Sequence, residues 1–205
     1  MPNWDANSPE LEANLQATLH AVRGAALQRL RPTLTLVREW HQLTMKGLTV
    51  PKPQMLGGFR GESGLEHSEV AIGRHRGVTA KKVRASLSLF ERKLQASVAQ
   101  LDRLIPRGAF PTASQMNAVM SLCAWTHAEW VRIHPFANGN GRTARLWANF
   151  IARRYGLPFF IRLRPRPAFG YGPAGEAAMR GDWRPTDTCF RAVLREFLAG
   201  RTRPS

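Results

Sequence analysis

His134-Pro135-Phe136-Ala137-Asn138-Gly139-Asn140-Gly141-Arg142-Thr143-Ala144-Arg145 joins two apolar helical patterns and packs a base, a glycine-rich turn and two arginines into one short stretch. A histidine titrates near neutrality, at about pH 6.5, so His134 can take a proton from a hydroxyl and return it. Pro135 cannot continue the hydrogen-bond ladder of a preceding helix, which puts the imidazole at a helix end. Gly139 and Gly141 read as turning backbone N–H groups inward, and Thr143-Ala144-Arg145-Leu146-Trp147 as a helix start. The first N–H groups of a helix have no intrahelical partner and carry partial positive charge, so they cradle anions. Arg142 and Arg145 lie three apart, on neighbouring helical positions suited to bidentate grips on phosphate oxygens. The implied ligand is a polyphosphate. It is not held by a P-loop, because no Gly-Lys-Ser/Thr follows and the preceding segment reads as helix rather than strand.

Outward from this stretch the pattern is helical almost throughout. On the N-terminal side, Ser114 to Ile133 carries Val119, Leu122, Cys123, Ala128, Trp130 and Val131 at helical spacing. His127 on the same helix stands about two turns before His134 and reads as a packed structural histidine rather than a second catalytic one. On the C-terminal side, Leu146, Trp147, Phe150 and Ile151 form a stripe that stops at Gly156 and Pro158. Val83, Leu87, Phe90, Leu94, Val98 and Leu101 mark a further helix between Thr79 and Leu104. Ser8 followed by Pro9 reads as an N-cap, with Leu11, Leu15, Leu19 and Val22 behind it. Leu27 and Leu30, and then Leu34, Val37, Trp40, His41 and Thr44, predict second and third helical pieces ending before Gly47. Gly170-Tyr171 and Gly175 to Gly181 predict a helix that closes the pocket, and Phe190, Val193, Leu194 and Phe197 a last one. Only Val70-Ala71-Ile72-Gly73, short and branched, reads as one strand of a hairpin. The expected fold is an all-α helical bundle with a small β-hairpin, in one core.

The chain has 205 residues and a net charge of +16. Arginines are dispersed from Arg23 to Arg203, with a modest cluster at Arg162, Arg164 and Arg166, and no aromatic residues interleave a basic repeat. Such dispersion fits a solvated surface better than dedicated nucleic-acid binding. Two cysteines, Cys123 and Cys189, give no disulfide framework and fit a reducing compartment. With neither a basic-then-apolar leader nor an apolar run of about 18 residues, the expectation is a cytoplasmic protein without a membrane partner.

The whole string resembles the signature of the Fic (filamentation) family, His-Pro-Phe-x-acid-Gly-Asn-Gly-Arg-x-x-Arg, at every specified position but one. The resemblance extends from about residue 34 to 198, which predicts an N-terminal helical extension over 1–33 and a Fic-like catalytic domain over 34–205. It implies a protein adenylyltransferase, moving AMP from ATP to a Ser, Thr or Tyr hydroxyl and releasing pyrophosphate. His134 would then be the general base, with Gly139, Asn140, Gly141, Arg142, Arg145 and Tyr171 binding nucleotide. Trp40-His41-Gln42-Leu43, Gly58-Phe59-Arg60 and Val70-Ala71-Ile72-Gly73 resemble family segments that lead into the flap, a hairpin that aligns the target protein by strand addition; Glu69, Val70, Ala71, Ile72 and Gly73 are its candidates here.

The exception is position 138. Where the family has a carboxylate that holds Mg²⁺, this chain has Asn138, which supplies less charge attraction to a hard cation and shifts expectation toward weaker Mg²⁺ binding, Mn²⁺, or another donor. A transferase of UMP or phosphoryl groups, or an impaired Fic-like binding module, are the alternatives. Many family members are held off by a helix of pattern Ser/Thr-x-x-x-Glu-Gly/Asn. Ser8-Pro9-Glu10-Leu11-Glu12 has that spacing with Ala13 after it, which makes Glu12 an inhibitory candidate; its ordinary role would be an acid in a helix first turn. A separate antitoxin-like protein supplying the glutamate is the other arrangement. The target protein and the oligomeric state leave no mark in the sequence.

Overall fold

The computed structural model describes Trp4, residues 7–72 and residues 75–200, with Ile72 described by its backbone alone. Seven helices follow one another: α1 (Pro9–Leu27), α2 (Leu34–Thr44), α3 (Ala80–Leu104), α4 (Ala113–Ile133), α5 (Asn140–Arg154), α6 (Tyr171–Met179) and α7 (Arg184–Leu198). Between α2 and α3 lies an antiparallel hairpin, β1 (Ala71–Ile72) and β2 (His75–Arg76), pairing Ala71 with Arg76 and Ile72 with His75.

The bundle is built around α5. Polar and apolar residues alike are buried along it, from Asn140 to Arg154, so it is enclosed on all sides rather than amphipathic. Trp147 and Phe150 project from it into an aromatic core: Trp40 of α2 meets Trp147 edge-on at 5.0 Å and Phe150 at 5.4 Å, and Phe90 of α3 meets Trp130 of α4 at 5.3 Å. Leu11, Leu15 and Val22 of α1 enter this same core, so the segment before residue 34 packs as part of the bundle. At its C-terminal end α5 is pinned by Arg154, whose Nε and Nη2 donate to Asp102 of α3 at 3.1 and 2.5 Å. That leaves the N-terminal end of α5 for the site.

Three element boundaries differ from the sequence reading. Leu27 and Leu30 start no helix of their own: α1 ends at Leu27, Arg29 takes a left-handed φ of 53°, and both leucines are exposed. Helix α5 begins at Asn140, three residues before the expected Thr143, because Thr143 N–H already bonds the Gly139 carbonyl at 2.9 Å. Helix α4 begins at Ala113 under a capping box, with Thr112 and Gln115 exchanging bonds. Ser8 caps α1 as its Ser-Pro pair implied, accepting from Leu11 N–H at 3.1 Å. Both cysteines are buried thiols, and burial pushes each above its ordinary range. Among the described residues no helix is long and apolar enough to cross a membrane.

Candidate active site

His134 caps the end of α4 in the left-handed region, φ 53° and ψ 57°, a conformation a β-carbon makes costly and that persists only under outside restraint. The restraint is Arg60. Its side chain is wholly buried and donates through Nε to the His134 carbonyl at 2.7 Å and through Nη2 to the Ile133 carbonyl at 3.0 Å, while its backbone N–H reaches the Pro135 carbonyl at 2.8 Å. The same guanidinium donates to the Val78 carbonyl at 2.6 Å, the Ser68 carbonyl at 3.1 Å and the Glu69 carboxylate at 3.3 Å, on either side of the hairpin. One side chain thus ties the base to the hairpin.

The ring of His134 is held by a bond of 3.0 Å between Nδ1 and the Val131 carbonyl. A carbonyl only accepts, so Nδ1 carries the proton, and in the neutral imidazole Nε2 carries a lone pair. Burial lowers the pKa to about 4, opposed by the Val131 bond and assisted by the Arg60 charge. At neutral pH the ring is a free base in a defined tautomer.

After Pro135 the chain makes a tight loop into α5. Gly139 holds φ 79°, and a β-carbon there would come within 2.8 Å of Met45 Cε and 3.2 Å of His41 Nε2. His41, fully buried on α2, accepts from Gly57 N–H through Nδ1 at 3.1 Å, donates from Nε2 to the Asn138 carbonyl at 3.1 Å, and stacks on Phe136 at 3.9 Å. Its burial drives the pKa down to about 4, which keeps it neutral in that role. The sequence marked His41 as one of a helically spaced set and as part of a family-like segment; its grip on the loop needs a contact across 97 residues.

Several expected ligand groups prove to be loop braces. The Asn140 side chain is buried and clasps Phe136, accepting from its N–H at 2.8 Å and donating to its carbonyl at 2.7 Å, so only its backbone N–H can face an anion. Gly139 N–H is used by Asn138 Oδ1 at 2.5 Å. Gly141 lies inside the first turn of α5 without a positive φ, and its lack of a side chain leaves room for Arg145 Nη1. The backbone N–H groups left open in the first turn of α5 are those of Asn140 and Gly141.

A cavity of about 1710 Å³ opens over this helix end. His134, Asn138, Gly139, Asn140, Gly141, Arg142, Arg145 and Tyr171 all line it, as do Val70 and Ala71 of the flap and Glu12 of α1. Arg142 Nη2 donates to the Trp4 carbonyl at 3.0 Å. Arg145 Nη1 donates to Tyr171 Oη at 2.8 Å and its Nη2 to the Leu163 carbonyl at 2.8 Å. Tyr171 Oη also bonds His127 Nε2 at 2.7 Å; His127 is buried, with its pKa pushed down to about 3, and so stays the neutral packed residue its spacing suggested. Glu12 sits in the first turn of α1, its carboxylate accepting from Gln16 Nε2 at 3.1 Å.

The flap expectation covered only its first strand. β2, with His75 on the cavity wall, is the half that polar residues hid from the strand pattern. Glu69 precedes β1, and its carboxylate accepts from Ala80 N–H at 3.0 Å as well as from Arg60, which braces the hairpin's base. Gly73 lies outside the described residues.

Position 138 offers a neutral amide oxygen that accepts from Gly139 N–H and keeps a second lone pair, so it could ligate a cation but brings it no charge.

The model of the Fic/DOC family matches residues 31–152, well over half of the chain. The chain belongs to the Fic/DOC family. It is 37% identical over 87 residues to the "Protein adenylyltransferase Fic" of Nematostella vectensis, a match covering 40% of this chain and 20% of that protein. Over 39 residues it is 46% identical to a Fido domain-containing protein of Dictyostelium discoideum, covering 19% and 27%. The Fic chain thus spans about a fifth to a quarter of the length of these curated relatives. Its fold is similar to that of a Fic domain containing signaling protein from Bacteroides thetaiotaomicron, with TM-score 0.63, 19% identity, and coverage of 97% of this chain and 78% of the other. It is also similar to Fic-1 from C. elegans, with TM-score 0.57, 21% identity and coverage of 95% and 53%.

Proposed function

We propose that this Fic chain is a protein adenylyltransferase, which transfers AMP from ATP to a Ser, Thr or Tyr hydroxyl of a target protein. The observation that carries the reading is the meeting of a neutral base and an open helix N-terminus on one loop. The name of the Nematostella relative supports the choice of donor.

In this reading the triphosphate lies over the first turn of α5, where the N–H groups of Asn140 and Gly141 meet charge growing on the α-phosphate, and Arg142 and Arg145 meet the β- and γ-phosphates. The target segment pairs along the flap, which puts its hydroxyl beside His134. His134 Nε2 takes the hydroxyl proton as the oxygen bonds to the α-phosphorus; the bond from that phosphorus to the bridging oxygen breaks, and pyrophosphate leaves with the electron pair. The imidazolium then loses its proton to solvent. Arg145 keeps N–H donors beyond those given to Tyr171 and Leu163, so it can meet phosphate oxygen while Tyr171 and Leu163 hold its orientation. A divalent cation, where bound, would rest on the donor's phosphates and waters with the Asn138 amide oxygen as its protein ligand, and would neutralise phosphate charge.

Labelling at two positions tests the reading against its closest rival. ATP labelled at the α-phosphate, incubated with the protein and a cell lysate, is expected to label protein, and ATP labelled at the γ-phosphate is not. Label from the γ position alone would make the chain a phosphoryl transferase.

A further inference from the structure

Tyr171 heads α6 and is half-buried on the cavity wall, with its hydroxyl between Arg145 of α5 and His127 of α4. Its Oη accepts from Arg145 Nη1 at 2.8 Å and bonds His127 Nε2 at 2.7 Å. The direction of the second bond sets where the hydroxyl proton points. His127 is only 2% exposed, packs edge-on against Phe190 at 5.0 Å, and has no hydrogen-bond partner for Nδ1 among the described residues. Burial and the nearby Arg145 charge push its pKa down to about 3, so the ring is neutral and carries one proton. On Nδ1 that proton would make a buried N–H with no acceptor, the kind of orphan that folded proteins rarely tolerate; on Nε2 it is spent on Tyr171, and only a lone pair stays bare. His127 Nε2–H is therefore the donor. Both lone pairs of the Tyr171 hydroxyl are then filled, one by Arg145 and one by His127, and its own O–H turns to the cavity.

We propose that His127 is a positioning residue: by donating to Tyr171 it makes the tyrosine hydroxyl a hydrogen-bond donor to the phosphate oxygens that Arg145 faces. The inference rests on reading the cavity as a nucleotide-donor site. Arg145 and Tyr171 act as a pair, because the guanidinium that meets the phosphate also holds the hydroxyl beside it, and a hydrogen bond to a charged oxygen is stronger than one to a neutral acceptor. His127 never touches the ligand in this arrangement; it acts through the direction of one bond. The two site histidines then carry opposite tautomers, His134 protonated on Nδ1 by its bond to the Val131 carbonyl and His127 on Nε2 by its bond to Tyr171. A ligand with β- and γ-phosphates engages the pair, and a monophosphate held at the head of α5 does not.

Long-range proton–nitrogen correlation NMR of the whole chain at neutral pH, with His127→Gln to assign the ring, reads the tautomer directly, and the proton is expected on Nε2. Calorimetric titration with ATP, AMP and inorganic tripolyphosphate then follows the wild type, His127→Met, His127→Gln, Tyr171→Phe and the double variant His127→Met with Tyr171→Phe. His127→Met and Tyr171→Phe should each weaken ATP and tripolyphosphate about tenfold and leave AMP within about threefold. His127→Gln, whose amide N–H reaches the place of Nε2–H, should recover most of the loss. The double variant should bind no more weakly than Tyr171→Phe alone, because the histidine acts only through the hydroxyl. A ring protonated on Nδ1, or His127→Met binding like the wild type, would overturn the positioning role and leave the nucleotide reading intact. So would a loss that His127→Gln fails to recover and that adds to the loss in Tyr171→Phe, since packing alone would produce it. If tripolyphosphate binds with the full dependence on His127 and ATP gains nothing over it, the positioning role stands and the nucleotide reading falls.

Discussion

His134 owes its chemistry to two neighbours and to burial: the Val131 carbonyl fixes the tautomer, Arg60 fixes the backbone, and burial disfavours the protonated ring. Gly139 is the residue that the loop can least afford to change. An alanine there takes a left-handed conformation, at a cost of about 1–2 kcal/mol, and presses on Met45 and His41. Gly139→Ala is expected to lower the unfolding free energy measured in urea by that amount and to weaken ATP binding, while Gly141→Ala, at ordinary helical angles, should be milder in stability. Equal losses would contradict the division of roles between the two glycines. The residue types were legible in the sequence, since a base, a turn and two arginines announce themselves. What each side chain faces was not, because Asn140, Asn138 and His41 spend their polar atoms on partners that only the folded loop brings near.

At the scale of elements, Arg60 ties the hairpin to His134 because it bonds to both. A lysine keeps the charge but has three donors on one nitrogen, which cannot reach the carbonyls of His134, Ile133, Val78 and Ser68 together. Arg60→Lys is therefore expected to slow transfer to a protein target about tenfold or more, with a raised KM for that protein, while ATP affinity changes by less than about threefold. ATP affinity falling in step with transfer would show that Arg60 serves general folding instead. The helices themselves were largely readable from their 3.6-residue periods, α3 and α4 to within a residue or two. The second flap strand was not, because two polar residues carry no alternation, and its place is set by the pairing with Ala71 and Ile72.

Three buried histidines give the whole molecule a pH response. His41, His127 and His134 lie at about 4, 3 and 4, lowered from 6.5 chiefly by burial. The unfolded chain takes up protons as pH falls through 6.5 while the folded chain resists until about 4, so their contribution to stability is complete above 6.5 and is lost as pH falls. A urea midpoint level above pH 7 and declining from 6.5 down to 4.5, before most carboxylates titrate, is the expected profile. A midpoint unchanged over that interval would mean that these rings are not buried neutral. The single aromatic core explains why so much of the fold could be read from apolar spacing, and why the cavity could not: its walls come from α1, the flap, α4, α5, α6 and the segment 162–167, which no local pattern joins.

The central claim is that His134 transfers the proton in an AMP transfer, and the most direct measurement follows α-labelled ATP into protein with the wild type and His134→Ala side by side. Label on protein with the wild type and its loss in the variant, with ATP affinity retained, is the predicted result. Equal labelling by both, or none by the wild type on any lysate protein or on itself, would contradict the account.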